Sequence, residues 1–154
     1  MAGSHPDRKQ PMIEIVHENA IPVSFGDCDP AGIVYYPNHF RWFDATFHAL
    51  LFRFGAGHAA ICAELGSIGL GLIDVGGTFR SPAVNGDRLD LAVRIVEWNA
   101  KTFRLAYRGL IGGRLVVEGF ELRGVFIREG ERLRAGEVAP LRAILEGGAG
   151  RAPS

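Results

Sequence analysis

The sequence predicts an α+β fold, a long helix laid against an antiparallel sheet, and three observations carry that prediction. Phe40, Phe43, Phe47, Leu50 and Phe54 recur at the spacing of one apolar helix stripe. Further on, Leu89, Leu91, Val93 and Ile95 alternate with polar or small residues, as do Phe103, Leu105 and Tyr107 against Arg104 and Arg108. Val116, Phe120, Leu122 and Phe126 repeat that period of two against Glu121 and Arg123. Asn85-Gly86 and Gly112-Gly113 punctuate these runs as turn signals. An antiparallel sheet of about five strands then has one face to cover, and the phenylalanine stripe fits that need.

Residues 1–11 are polar and bounded by proline, a leader expected to be disordered. A first strand is expected from about Ile13 to Ser24. Pro37 suits the first position of the long helix, and Gly55 and Gly57 end it. Arg41, Asp44 and His48 form a second, polar stripe on another face of that helix. A short helical piece is expected near His58 to Leu65, and a last one from about Pro140 to Leu145. The stretch 147–154, GGAGRAPS, reads as a disordered tail. One domain over 12–146 remains, without an internal repeat.

Composition narrows the function classes. Of 154 residues 47% are apolar, and 17 cationic side chains balance 17 anionic ones. Composition forces no basic patch, which argues against nucleic-acid binding. No run approaches the roughly 20 apolar residues that span a bilayer, and the first residues lack a signal-peptide core. A cytoplasmic protein is expected. Cys28 and Cys62 have neither metal-ligand nor disulfide spacing, so no metal is expected and both read as reduced packing residues. Asp27 and Asp29 flank Cys28, and their charge weakens it as a nucleophile.

The segment Phe25 to Asp44, FGDCDPAGIVYYPNHFRWFD, carries the chemistry. It sets two carboxylates in a turn-rich stretch ahead of a helix whose first-turn N–H groups can hold a developing oxyanion. A carboxylate there is a base or a nucleophile for acyl transfer. Asp29, ahead of Pro30, also fits an Asx-turn or a helix cap, and Asp27 fits a turn residue bonded to local backbone. Asp44 can pair with Arg41 or His48, or accept a hydroxyl from a ligand. Trp42 and Trp98 read as core or interface residues.

These residues, with Thr78-Phe79, Asn85-Gly86-Asp87, Glu97 to Phe103 and Glu131 to Arg134, resemble hotdog-fold thioesterases, most closely the 4-hydroxybenzoyl-CoA thioesterase family. The resemblance covers nearly the whole domain and is most specific in its D-x-D-x-A-G-x-V pattern. It implies an acyl-CoA substrate, with CoA as part of that substrate and no separate cofactor. It also implies a homo-oligomer, a dimer or tetramer, with each site at a dimer interface. The family's catalytic carboxylate falls on Asp29, its backbone oxyanion donor on Tyr36, and its contact to the phenol end of the substrate on Asp44. The chain departs from the 4-hydroxybenzoyl enzyme at His39-Phe40 and at Gly69-Leu70-Gly71-Leu72. Asn99 and Ala100 stand where two arginines are expected, which leaves Lys101 as the candidate contact to the CoA phosphates.

The chemistry needs few groups. A thiolate leaves readily, so one carboxylate and one oxyanion hole suffice. Asp29 can attack directly, giving an acyl-aspartyl anhydride, or activate a water. The expected reaction is hydrolysis of an aromatic, 4-hydroxybenzoyl-like acyl-CoA to free acid and CoA. The alternatives are a short-chain aliphatic acyl-CoA thioesterase of the same fold and a non-catalytic acyl-CoA binding module.

Overall fold

The structure is a computed structural model and describes residues 13–149. The expected leader and residues 150–154 lie outside the described residues. In chain order the elements are β1 (Val16–Pro22), a 3-10 turn (Phe25–Asp27), α1 (Pro37–Phe54), α2 (His58–Leu65), β2 (Gly69–Phe79), β3 (Arg88–Trp98), β4 (Thr102–Ile111), β5 (Arg114–Glu129), β6 (Arg132–Gly136) and α3 (Ala139–Gly148). The final helix runs three residues beyond the expected Leu145, taking in Gly147 and the buried Gly148.

The strands form one antiparallel sheet in the order β1-β3-β4-β5-β2, with β6 added on β5. The long strand β5 has β4 beside it up to Gly124, opposite Thr102. From Val125 onward β6 takes over that edge. Phe43, Phe47, Leu50 and Leu51 of α1 are fully buried against this sheet. The Phe43 ring stacks on Tyr107 of β4 with centroids 4.2 Å apart, and Phe47 packs near Phe103. This is the helix-on-sheet arrangement expected of a hotdog fold. The predicted stripe is the buried one, with only Phe40 left half-covered.

Two strand expectations need correction. The stretch beginning Gly69-Leu70-Gly71-Leu72 is a full strand, β2, paired with β5 along nearly its whole length. Its alternation is hidden because Gly71 and Gly76 stand where side chains would be, and the Phe126 and Phe120 rings of β5 cover those gaps. A pleated strand needs the space filled, and a cross-strand aromatic fills it as well as a local one does.

The second correction concerns the faces of β5. The alternation suggested Val116, Phe120, Leu122 and Phe126 inward, with Glu121 and Arg123 outward. The structure turns Glu121 and Arg123 inward, 1% and 4% exposed, and leaves Phe120, Leu122 and Phe126 partly exposed on the other face. Two opposite charges that satisfy each other can be buried where a lone one cannot. Gly119 on the inward row leaves room for the Phe43 ring, which a Cβ there would strike.

Candidate active site

The approach to α1 is built by Asp27. Its Oδ2 accepts from the Ser24 N–H and hydroxyl, both at 2.9 Å. Its Oδ1 takes Arg41 Nη2 at 3.2 Å. Its backbone carbonyl accepts from Tyr35 N–H at 2.9 Å and from Asn38 Nδ2 at 2.8 Å. The two Ser24 bonds close the turn itself and the other three tie it to the head of the helix, so Asp27 has the turn role expected of it. It also removes Arg41 from Asp44.

Asp29 opens the next loop. Its Oδ1 accepts from Ala31 N–H at 2.8 Å, an Asx-turn. Its own N–H donates to Ile33 C=O, and Gly32 N–H returns to its carbonyl, both at 2.9 Å. Gly32 takes φ +80, which a side chain would resist. Three hydrogen bonds thus fix the loop and one carboxylate oxygen, and Oδ2 has no hydrogen bond among the described residues.

At the head of α1 the donors are nearly all spent. Pro37 has no N–H. Asn38 and His39 donate to the carbonyls of Tyr35 and Tyr36, at 2.9 and 3.1 Å. Among the described residues none accepts the Tyr36 N–H. One backbone donor is therefore left at the positive end of the helix dipole.

Asp29 and Tyr36 line one cavity of about 570 Å³, with Ile33, Val34, His39 and the segment from Phe79 to Ala83. Its floor comes from the loop after β2, held by the Val34 N–H to Ala83 C=O bond and the Ile33–Val84 bridge. Aromatic edges dominate the wall: Phe79 meets Tyr36, His39 and Phe40 at centroid distances of 6.3, 5.3 and 6.0 Å. Arg80 is the single cation among the lining residues, and it pairs with Glu118 at 3.2 Å.

His39 enters the sequence reading only as a departure from the 4-hydroxybenzoyl enzyme, and Arg80 does not enter it. Their signal was weak because α1's third residue and the end of an unrecognised strand meet only through the tertiary fold. Burial keeps the His39 pKa below its ordinary value, and its Nδ1 is buried with no hydrogen-bond partner among the described residues.

The other two expected ligand contacts lie elsewhere. Asp44 sits two turns further along α1, outside the cavity lining. Its Oδ1 takes Arg123 Nη2 at 2.8 Å and lies 3.6 Å from His48 Nε2. Arg123 also binds Glu121 through Nε and Nη2 and donates from Nη1 to Leu70 C=O at 3.0 Å. Tyr107 completes the network with a short bond from its hydroxyl to Glu121. Burial first, and then the Glu121 carboxylate, push the Tyr107 phenol far up. Burial works against the Arg123 charge, yet the bonds to Glu121 and Asp44 outweigh it and raise its pKa.

Lys101 is further away still. It lies in the turn between β3 and β4, paired with Glu137 at 2.8 Å. The Asp29 loop is tied to the opposite end of β3, next to Asp87 and Val84. At about 3.3 Å per residue, the length of β3 keeps the two apart within one chain. Cys62 is buried with Sγ 3.5 Å from His58 Nε2, and burial raises its pKa, so it remains the packing residue expected. Among the described residues no helix is long and apolar enough to cross a membrane.

Comparison with known proteins identifies the family and the fold. The model of the thioesterase-like superfamily matches residues 23–144. The chain is 36% identical over 122 residues to a 4-hydroxybenzoyl-CoA thioesterase of Pseudomonas sp. (strain CBS-3), covering 75% of this chain and 86% of that protein. It is 27% identical over 130 residues to a 1,4-dihydroxy-2-naphthoyl-CoA hydrolase of Synechococcus sp. (strain CC9311), covering 80% and 85% of the two chains. A crystal structure of a 4-hydroxybenzoyl-CoA thioesterase mutant complexed with 4-hydroxybenzoyl-CoA superposes with a TM-score of 0.78 at 32% identity, covering 85% of this chain and 99% of that one. On the family match over most of its length, the chain belongs to the thioesterase-like superfamily, a thioester hydrolase with the hotdog fold.

Proposed function

We propose that this protein hydrolyses an aromatic acyl-CoA thioester to the free acid and CoA, with Asp29 as the catalytic carboxylate and the Tyr36 N–H as oxyanion donor. The observation that carries the reading is that Tyr36, which among the described residues has the one unspent helix-head N–H, and Asp29, which has an oxygen without a partner there, line the same cavity. An anion forming on the thioester oxygen gains both the hydrogen bond and the field of the helix. In one route Asp29 attacks the carbonyl carbon, the C–S bond breaks, thiolate leaves, and water cleaves the anhydride. In the other Asp29 takes a proton from water as that water attacks the same carbon, and thiolate leaves from the tetrahedral anion. Both end in a carboxylic acid and a CoA thiol.

An aryl acyl group is supported by the aromatic cavity wall and by the hydroxyaryl thioesters named for the two relatives. Asp44 lies outside this chain's cavity lining, so it accepts the hydroxyl of a 4-hydroxybenzoyl-like group only from another copy of the chain. Lys101 meets a CoA bound at this cavity only from another copy of the chain. We therefore place each site at an interface between two copies, and the edge strand β2, bonded on its other side only to β5, suits sheet-to-sheet pairing.

The test is thiol release across aromatic and aliphatic acyl-CoA esters, with the oligomeric state measured alongside. Asp29→Ala should lower kcat by about a thousandfold, with far-UV circular dichroism and oligomer size unchanged. Retained turnover in a folded variant would refute the assignment. A burst of thiol ahead of acid release supports the anhydride route.

A further inference from the structure

We propose that His39 selects the acyl group, donating a hydrogen bond from Nε2–H to an oxygen carried beside the thioester carbonyl, as in a 2-hydroxyaroyl thioester. This deepens the hydrolytic reading at Asp29 and rests on it.

Position comes first. His39 follows Tyr36 by three residues, so both face the same side of α1, and both line the cavity with Asp29. The step along the helix axis between them is about 4.5 Å. A ligand whose carbonyl oxygen sits on the Tyr36 N–H therefore brings its nearest atoms under His39. A substituent ortho to the thioester lies within a hydrogen bond of that carbonyl oxygen, whereas a para substituent lies across the ring. Asp44, eight residues beyond Tyr36, is about 12 Å along the axis and stands outside the lining.

The state of the ring follows from its surroundings. His39 is 5% exposed. Trp42 meets it edge to face at 5.4 Å and Phe79 lies tilted over it at 5.3 Å. Burial disfavours the imidazolium, so the ring carries one proton. Nδ1 is sealed without a partner among the described residues. A buried N–H without an acceptor is rarer than a buried lone pair without a donor, so the proton belongs on Nε2. Nε2 is then the polar atom through which His39 meets the cavity, and it is a donor there, not a base. A phenylalanine in this aromatic wall would have no polar atom to satisfy. Histidine instead leaves one donor that a ligand oxygen can use, and its polarity is opposite to that of Asp29 and Asp44.

Binding is measured by calorimetry in an Asp29→Asn background with benzoyl-CoA, 2-hydroxybenzoyl-CoA and 4-hydroxybenzoyl-CoA. With His39 present, the 2-hydroxy ester should bind up to about tenfold tighter than benzoyl-CoA. The added change His39→Phe should bring that ratio near one, and His39→Met serves as a second variant without the donor. His39→Gln, whose amide N–H reaches the place of Nε2–H, should restore part of the preference. The ratio of kcat/KM for the same pair, measured with Asp29 intact, should follow the same order. An unchanged ratio in folded His39→Phe or His39→Met, or no preference for the 2-hydroxy ester at the outset, overturns the proposal. Failure of the Asp29 assignment shows separately, as thiol release by the Asp29→Asn protein.

Discussion

The head of α1 and its middle carry polar groups in opposite conditions. In the middle, Arg123, Glu121 and Tyr107 are buried, and they bond to one another. The Arg123 guanidinium also lies 4.4 Å from the Phe47 ring centre, holds Asp44 and binds the Leu70 carbonyl. At the head, among the described residues, Asp29 keeps one oxygen without a partner, Tyr36 keeps an N–H, and His39 keeps a sealed nitrogen. Buried polar groups that meet one another set the packing. Groups left unmet around a cavity are where a ligand completes the bonding. The contrast assigns structure to the middle and chemistry to the head.

The largest expected effect is the kinetic one at Asp29, and a folded but inactive Asp29→Ala protein is its signature. Arg123 should give the reverse. Arg123→Met leaves Glu121 buried beside Tyr107 without its cation, which should cost about 3–5 kcal/mol and lower Tm by about 10 °C. Glu121→Gln with Arg123→Met should recover much of that loss, because the unpaired charge is gone. Thermal unfolding of the single and double variants checks this. A single variant as stable as the parent would break the division between the two regions.

Gly119 sharpens the same contrast at smaller scale. A methyl there meets the Phe43 ring and the Gly76 carbonyl, and it loosens the Phe43–Tyr107 stack under α1. Gly119→Ala should cost about 1–3 kcal/mol by overpacking. Activity per folded molecule should hold, because the cavity at the helix head is not touched. Denaturant midpoints and active-site titration measure the two quantities together.

What was legible from the sequence follows the range of each interaction. The α1 stripe, the turns at Asn85-Gly86 and Gly112-Gly113, and the outlines of β3, β4 and β5 depend on neighbours within one or two turns of chain. The turn role of Asp27 was legible for the same reason. Strand β2 was not, because its missing side chains are supplied by Phe120 and Phe126 from another strand. The inward face of β5 was misread because a charged pair in the core looks in sequence like a solvated face. Asp44 was read against Arg41 and His48, its helix neighbours, while its closest cation is Arg123, 79 residues away. Only the folded sheet brings that partner in. The cavity likewise needed the loop after β2, whose residues Arg80 to Ala83 carry no pattern of their own.

The smallest expected effect is a pH dependence of stability, with an acid limb set by His39 and His58 and an alkaline limb set by Tyr107. His39 has its pKa lowered by burial. Below the ordinary histidine value of about 6.5 the unfolded chain takes up a proton that the folded ring resists, so stability falls as pH drops through that region. His58 adds the same sign, through burial first and then through the His48 and Arg123 charges, with Asp44 opposing. Tyr107 acts at the other limit. Its phenol is held neutral in the fold, so stability is fully present below the ordinary tyrosine value of about 10 and is lost as pH rises above it. Unfolding midpoints between pH 5 and 7 should therefore slope less steeply in His39→Phe, while the alkaline limb stays as it was. Tyr107→Phe should flatten the alkaline limb alone. If His39→Phe left the acid limb unchanged, the head of the helix would not be holding a neutral imidazole, and the donor assigned to Nε2 would lose its physical basis.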